Sequence, residues 1–463
     1  MPKIDDINHD LINTERTIEQ FVGIEASLTP KIEGIKGIYK HSFKDFIVKE
    51  ITNEGRTLEI KEDYSTESFS KEQKDKFTTF NLVKVNKDTF EALREIGDKL
   101  NISPKSIQYS GLKDRRSISV QRVSIKGNYV NKLKKLKIRD SFIRHIRPTR
   151  KPVKLGGNWG NNFTITIRNV EDKKNLQKDI ELLSNDLVKK GFLNYFGVQR
   201  FGRYRPNSHL VGRYLLEENF EKAFDEYVST IYLTESKNLQ NIRGILKKTD
   251  DLEKAYNSFP NGLFYERVMI KHLIDYPNDY EGCFDLFSLN LKTLLISAFQ
   301  SHIFNKMISL RAKKGISMLK PVKGDTISIL DDDNGHITKI KYIYGDLQGQ
   351  YDEFLEKAMT LNRAVIVIPI VGYETDMNEF PLLKPLFEEI IKQDGISINL
   401  FKSKLLYQFV YRGSFRAMTT KPIGFKILEL NDDELFPGRK KLKIEFSLIK
   451  GSYATTFLRE FMK

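Results

Sequence analysis

Cysteine is almost absent from this chain. A single Cys283 among 463 residues excludes an intramolecular disulfide framework and any zinc or iron–sulfur site built on several cysteines. It also fits a reducing, intracellular setting. Long apolar runs are missing too: the longest, near residues 364–371, falls far short of the roughly 20 residues a membrane-spanning helix needs. Residues 1–30 are polar and carry Asp5, Asp6, Asp10, Glu15 and Glu19, with no basic stretch leading into an apolar one, so no secretory signal is expected. The expectation is a soluble protein of the cytoplasm, or of the nucleus in a eukaryote, with no membrane partner.

Familiar site motifs are lacking as well. There is no GxxxxGK[ST] phosphate loop, no GxGxxG fingerprint, no HExxH and no GxSxG. Gly156-Gly157-Asn158-Trp159-Gly160 is glycine-rich but wrongly spaced, and the seven histidines are scattered. Nucleotide hydrolysis, dinucleotide redox chemistry and zinc hydrolysis lose weight together. Side-chain chemistry that needs no metal or cofactor remains.

Positive charge is abundant: 76 Lys and Arg against 61 Asp and Glu leave a net charge of +15. Such a surplus suggests a polyanionic partner. With 40% apolar residues the chain can bury a core, and its length suits two or three domains. The charge concentrates in residues 131–154, where ten cations (Lys132, Lys134, Lys135, Lys137, Arg139, Arg144, Arg147, Arg150, Lys151, Lys154) face one acid, Asp140. Leu133, Leu136, Ile138, Phe142 and Ile146 are interleaved, so the segment reads as a folded basic face, either gripping phosphates or simply solvated. A shorter cluster, Arg439, Lys440, Lys441 and Lys443, leaves the same choice open.

Periodicity predicts strands at 77–85, 106–109, 117–125 and 163–170, then at 325–329, 337–342, 364–370 and 441–448. In the last of these, Leu442, Ile444, Phe446 and Leu448 alternate. Helices are predicted at 88–100, with Asp88 as N-cap, and at 172–190, stopped by Gly191. Two more are predicted at 264–275 and 291–314. Strands and helices mix without regular βαβ alternation, so the class is α+β.

Three segments carry the chemical interest. The loop Ser110-Gly111-Leu112-Lys113-Asp114-Arg115-Arg116 sets a lone carboxylate among three cations. That suits a nucleophile or base, and equally a turn carboxylate paired with a neighbouring arginine. Asn194-Tyr195-Phe196-Gly197-Val198-Gln199-Arg200-Phe201-Gly202 gathers amides, aromatics and glycines. It could hold an extruded nucleobase by stacking and edge contacts, or it could be core aromatics around tight turns. Residues 40–50, KHSFKDFIVKE, taken alone read as an unremarkable strand entry.

Together these segments resemble the TruD-type pseudouridine synthases, which modify tRNA. The family's P-x-D-F-x-V-x-E stretch is similar to residues 43–50, and its G-x-K-D-x-x-A-x-x-x-Q signature to 111–121. Its R-x-x-x-L-G-x-x-x-G-N-x-F stretch is similar to 150–163, with one residue of difference in spacing. N-Y-F-G-x-Q-R-F-G is complete at 194–202, Q-S-x-x-F-N at 300–305 and G-S-[FY]-A-T-x-x-x-R-E at 451–460. Six motifs in order along the chain make the resemblance specific. The departures are Phe43 for Pro, Lys44 where an acid is common and Ser117 for Ala. The length resembles the archaeal and eukaryotic branch.

The resemblance implies a catalytic core with a mixed, mainly antiparallel sheet and flanking helices, plus an inserted α/β TRUD domain. Residues 1–30 would be an extension, 31–213 and 413–463 the core, and 214–412 the insertion. It implies an isomerase that converts uridine to pseudouridine in tRNA at position 13 of the D arm, with other RNAs as further substrates, acting as a monomer without metal or cofactor. Asp114 would be catalytic. Lys40, Phe46, Asn194, Phe196 and Tyr453 would contact the nucleotide, and Arg459 and Glu460 would form an ion pair ordering the site. Lys132, Lys134, Lys135, Lys137, Arg144, Arg147, Arg150 and Lys151 would meet the RNA backbone. Two other classes stay open: a catalytically silent RNA-binding factor on the same scaffold, and a basic scaffold protein that binds any polyanion.

Overall fold

A computed structural model of the chain describes residues 15–29, 32–69, 76–249, 251–331, 336–346, 349–403 and 411–463. The chain forms two compact units, one of residues 29–192 with 421–463, the other of 1–28 with 193–420. The sequence boundaries at 213/214 and 412/413 follow motif ends; the units divide at 192/193 and 420/421. Residues 1–14 and 30 of the expected extension at 1–30 lie outside the described residues. Its helix Glu15–Phe21 buries Ile18 and Phe21 in the core of the second unit.

The first unit is built on a mixed sheet. Its strands run in the order Ile423–Asp432, Arg439–Ile449, Asn158–Glu171, Phe46–Thr52, Ile118–Lys126, Phe77–Val85, Ser141–Thr149. Two short strands, Ile38–Tyr39 and Ile107–Tyr109, pair with Asn158–Glu171 and Ile118–Lys126. Among the described strand pairs of this sheet, Phe46–Thr52 with Ile118–Lys126 is parallel and the others are antiparallel. Alternation decides which face is buried. Leu442, Ile444 and Phe446 stand opposite Ile167, Ile165 and Phe163, and all six join one core under the helices Leu176–Lys190 and Ala454–Met462. A second core lies beneath Thr89–Leu100 and Val130–Lys135, which cover Phe80, Leu82, Val123 and Ile125.

Several predicted ends are met closely. Asp88 caps Thr89–Leu100 by accepting from the Phe90 and Glu91 N–H groups, and Gly191 ends Leu176–Lys190 at φ 80°. Among the strands not anticipated, the two long ones, Ser141–Thr149 and Ile423–Asp432, lie at sheet edges, where charged side chains mask the alternation. Gly160 permits the closest strand approach: a β-carbon there would lie 2.1 Å from the Leu448 carbonyl oxygen. Gly160→Ala is therefore expected to cost about 1–3 kcal/mol through forced strand separation, read as a lowered thermal midpoint.

The second unit packs helices around Leu289–Lys313, whose residues from Ala298 to Ser309 are all buried. Burial on every side explains why this helix shows no apolar stripe. A four-stranded antiparallel sheet, ordered Ile337–Ile343, Thr326–Leu330, Ala364–Ile370, Ser414–Ala417, completes it. Buried ion pairs, Arg311 with Asp325 and Lys306 with Asp394, fasten the long helix.

Candidate active site

The loop 110–116 joins Ile107–Tyr109 to Ile118–Lys126, and Ser110, Gly111 and Lys113 in it are tied down. Glu50, 2% exposed, reaches out from Phe46–Thr52 and accepts from the Lys113 ammonium (3.0 Å), the Ser110 hydroxyl and the Arg122 N–H (3.1 Å). The Thr89 hydroxyl accepts from the Lys113 N–H (3.3 Å) and lies 3.4 Å from its carbonyl oxygen. The Ser117 hydroxyl donates to the Asp114 carbonyl (2.6 Å), and the Gln121 amide donates to the Gly111 carbonyl (3.3 Å). Lys113 is drawn inward by these anchors, and its successor Asp114 is turned outward with its carboxylate 45% exposed.

The cation that meets Asp114 is not one of its sequence neighbours. Lys40 Nζ lies 2.5 Å from Asp114 Oδ2 and 3.9 Å above the centre of the Phe46 ring. Lys40 holds φ 56°, a left-handed conformation that costs a non-glycine residue about 1–2 kcal/mol. The next turn is rigid. Ser42 caps Phe43–Asp45 in a reciprocal capping box, so Phe43 in place of Pro leaves the turn intact. Asp45 pairs with buried Arg168 at 2.8 Å. Lys40, Phe46 and Asp114 are thus brought together, although the Phe46 ring is 2% exposed and lies against Phe163 beneath Lys40. Arg116 instead donates to the His41 carbonyl.

Lys84 is a member of this site that sequence reasoning missed. Fully buried, it donates to the Lys87 carbonyl (3.0 Å) and the Lys113 carbonyl (3.3 Å). Burial pushes its ammonium down to about 8, Lys113 adds to the shift, and Asp88 and Asp114 oppose it. Between about 8 and the ordinary 10.5 the folded state holds Lys84 neutral while the unfolded chain keeps its proton. Stability therefore rises with pH through that window. Relative to Lys84→Met, the wild type is expected to gain up to about 3 kcal/mol between those pH values, measured by urea unfolding of both proteins across the range.

Asn194 and Phe196 lie in the other unit. Asn194 is 3% exposed; its amide donates to the Ala417 carbonyl (3.0 Å) and accepts from Arg416 (2.6 Å). Phe196 is half-buried, with the Arg416 guanidinium 4.4 Å from its ring centre and Phe304 edge-on at 5.2 Å. Asn305 brackets the Phe196 backbone, accepting from its N–H (2.9 Å) and donating to its carbonyl (3.0 Å). The Q-S-x-x-F-N helix therefore positions the aromatic motif, and Arg416 is a polar neighbour with no signal in the sequence. Tyr453 is half-buried at the N-cap of Ala454–Met462, and buried Glu460 accepts from the Thr29 hydroxyl (3.0 Å).

The basic residues divide into two groups. Lys132, Lys134 and Lys135 stand exposed on Val130–Lys135, with Lys137 just beyond. Arg144 and Arg147 belong to the edge strand Ser141–Thr149, with Arg150 and Lys151 exposed after it. Arg144 also packs over Tyr64 (4.9 Å). This strand lies two places from Ile118–Lys126, about 10 Å across the sheet. The other sequence cluster is answered by acids of its neighbouring hairpin: Lys440 pairs with Asp432, Lys441 with Glu434 and Lys443 with Glu429. Among the described residues, no group of three or more His, Cys, Asp or Glu is placed to hold a metal, and no helix is long and apolar enough to cross a membrane.

A family model described as tRNA pseudouridine synthase D (TruD) matches residues 21–461. A Methanosarcina mazei protein named a probable tRNA pseudouridine synthase D is 32% identical over 454 residues, covering 96% of this chain and 97% of its own. A Methanococcoides burtonii protein of the same name is 30% identical over 463 residues, covering 98% of each chain. A crystal structure from Methanosarcina mazei, of a protein assigned as tRNA pseudouridine synthase D (TruD), superposes with a TM-score of 0.74 at 30% identity. It covers 96% of this chain and 97% of that one.

Proposed function

The chain belongs to the TruD family of tRNA pseudouridine synthases, and we propose that it isomerises a uridine of the tRNA D arm, at position 13, with Asp114 as the catalytic carboxylate. One observation carries the assignment to Asp114: in a loop anchored through Ser110, Lys113 and Ser117, its carboxylate is turned outward and held by Lys40.

The reaction rearranges bonds in place. The N1–C1′ bond breaks, the uracil turns, and C5 bonds to C1′. The proton on C5 leaves to solvent and N1 takes one up. Asp114 acts at the ribose or the base as nucleophile, or at the sugar as base, and Lys40 fixes the carboxylate for either role. The target base must leave its stack, at a cost of a few kcal/mol, and aromatic stacking returns about 1–3 kcal/mol. Phe196, backed by Arg416, is the better platform on exposure; Phe46 acts through Lys40. Asn194 orders Arg416 within its own unit; in the other unit Tyr453 is a further nucleotide contact, with Arg459 and Glu460 in support. The unit of residues 193–420 corresponds in this reading to the inserted domain. The enzyme works as a monomer in the cytoplasm, or in the nucleus of a eukaryote, and the cations of 132–151 hold the RNA backbone.

Reverse-transcription mapping of pseudouridine in tRNA transcripts treated with wild type tests this. A new modification at position 13 of the D arm is expected. Tight tRNA binding without any new pseudouridine would favour the silent RNA-binding reading instead.

A further inference from the structure

Arg122 and Arg147 stand on two strands of the same sheet with one strand between them, and both line one cavity. Arg122 lies in Ile118–Lys126 and Arg147 in Ser141–Thr149; both line a cavity of about 560 Å³ together with Arg150, Lys151, Lys154 and Glu54. The Nε of each arginine is buried from solvent with no hydrogen-bond partner among the described residues. A guanidinium is seldom left in that state, because its buried N–H groups lose water and gain nothing. Burial pushes Arg122 down to about 10, and the neighbouring charge of Arg147 adds to this. Glu54 is exposed, so its carboxylate can move aside; it opposes the shift and is itself lowered, chiefly by the Thr52 hydroxyl and less by the two arginines.

We propose that this cavity is a subsite for an RNA backbone phosphodiester, gripped by the Arg122 and Arg147 guanidiniums, with Glu54 holding the place of the phosphate until RNA arrives. The inference rests on the tRNA reading above and adds to it two residues, Arg122 and Glu54, that no motif singled out. A phosphodiester matches the planar fork of a guanidinium with charge-assisted hydrogen bonds. The exposed Arg150, Lys151 and Lys154 extend the same lining outward, as a continuous strand requires and a lone small anion does not. Ser110, the first residue of the catalytic loop, forms part of the wall. Arg122 itself stands four residues along the strand from Ile118, about 13 Å. The subsite thus lies beside the Asp114 loop and sets where a flanking nucleotide must be.

Equilibrium binding of tRNA across a potassium chloride series tests it, with Arg122→Gln, Arg147→Gln and Glu54→Gln compared with wild type. Each arginine variant is expected to bind about tenfold more weakly and to lower the slope of log Kd against log salt by about 1. Glu54→Gln, an exposed substitution that keeps the fold, is expected to tighten tRNA binding several-fold by removing the competing carboxylate. If the arginines serve only to hold Glu54, that variant will lower the thermal midpoint and leave affinity unchanged, which overturns the subsite. Unchanged slopes in both arginine variants overturn it too, as would an affinity for inorganic phosphate that Arg122→Gln removes while the tRNA slope stays the same. Tritium release from C5-labelled tRNA by wild type separates the two levels. Release with unaltered slopes refutes the subsite alone; no release refutes the tRNA reading and the subsite with it.

Discussion

Asp114→Ala is expected to slow single-turnover pseudouridine formation by about 10³-fold or more, the scale on which losing a catalytic residue acts, and to leave the fold intact. The two effects separate because of where the carboxylate stands. It is 45% exposed and its ion pair is with Lys40 alone among the described residues. The pair is open to water on the Asp114 side, though Lys40 is 9% exposed, and is expected to contribute about 1 kcal/mol, so thermal unfolding of the variant should lie within a few degrees of wild type. The loop's shape comes from Lys113, Ser110 and Ser117, which the substitution leaves in place. A variant that lost activity by unfolding would place Asp114 among the structural residues.

Glu50→Gln is expected to act in the opposite proportion. The Lys113 ammonium and the Glu50 carboxylate are 5% and 2% exposed. Removing one charge of a buried pair leaves the other without compensation, at about 3–5 kcal/mol. The variant should therefore unfold about 10 °C lower, and its remaining folded fraction should turn over about 10²-fold more slowly, because the Asp114 loop loses its inner anchor. The double variant Glu50→Leu, Lys113→Met should recover much of the stability, since an apolar pair removes both buried charges, while activity stays low. Recovery of activity along with stability would mean that the anchor serves the fold alone.

Much of the architecture was legible where packing imposes a period. Residues 441–448 alternate because one face of their strand meets a core, and Asp88 and Gly191 announce helix ends by their own chemistry. Legibility failed where partners come from elsewhere in the chain. Adjacency pointed to Lys113, Arg115 and Arg116 as the cations near Asp114; the fold turns Lys113 toward Glu50 and brings in Lys40 from 74 residues away. The family resemblance, not the local pattern, had marked Lys40. The cluster Arg439–Lys443 looked like a second basic patch because its acids sit on a strand that periodicity did not reveal. Lys84 and Arg122 carry no motif at all; only burial without a carboxylate of their own distinguishes them.

The central claim is that Asp114, presented by an anchored loop and held by Lys40, carries the chemistry. Its most direct test is tritium release from tRNA labelled at uridine C5, under single-turnover conditions, by wild type and Asp114→Asn at matched occupancy. Release by wild type, and none above buffer by a folded variant that still binds the tRNA, is the predicted result. Release by Asp114→Asn at more than about a tenth of the wild-type rate would contradict it.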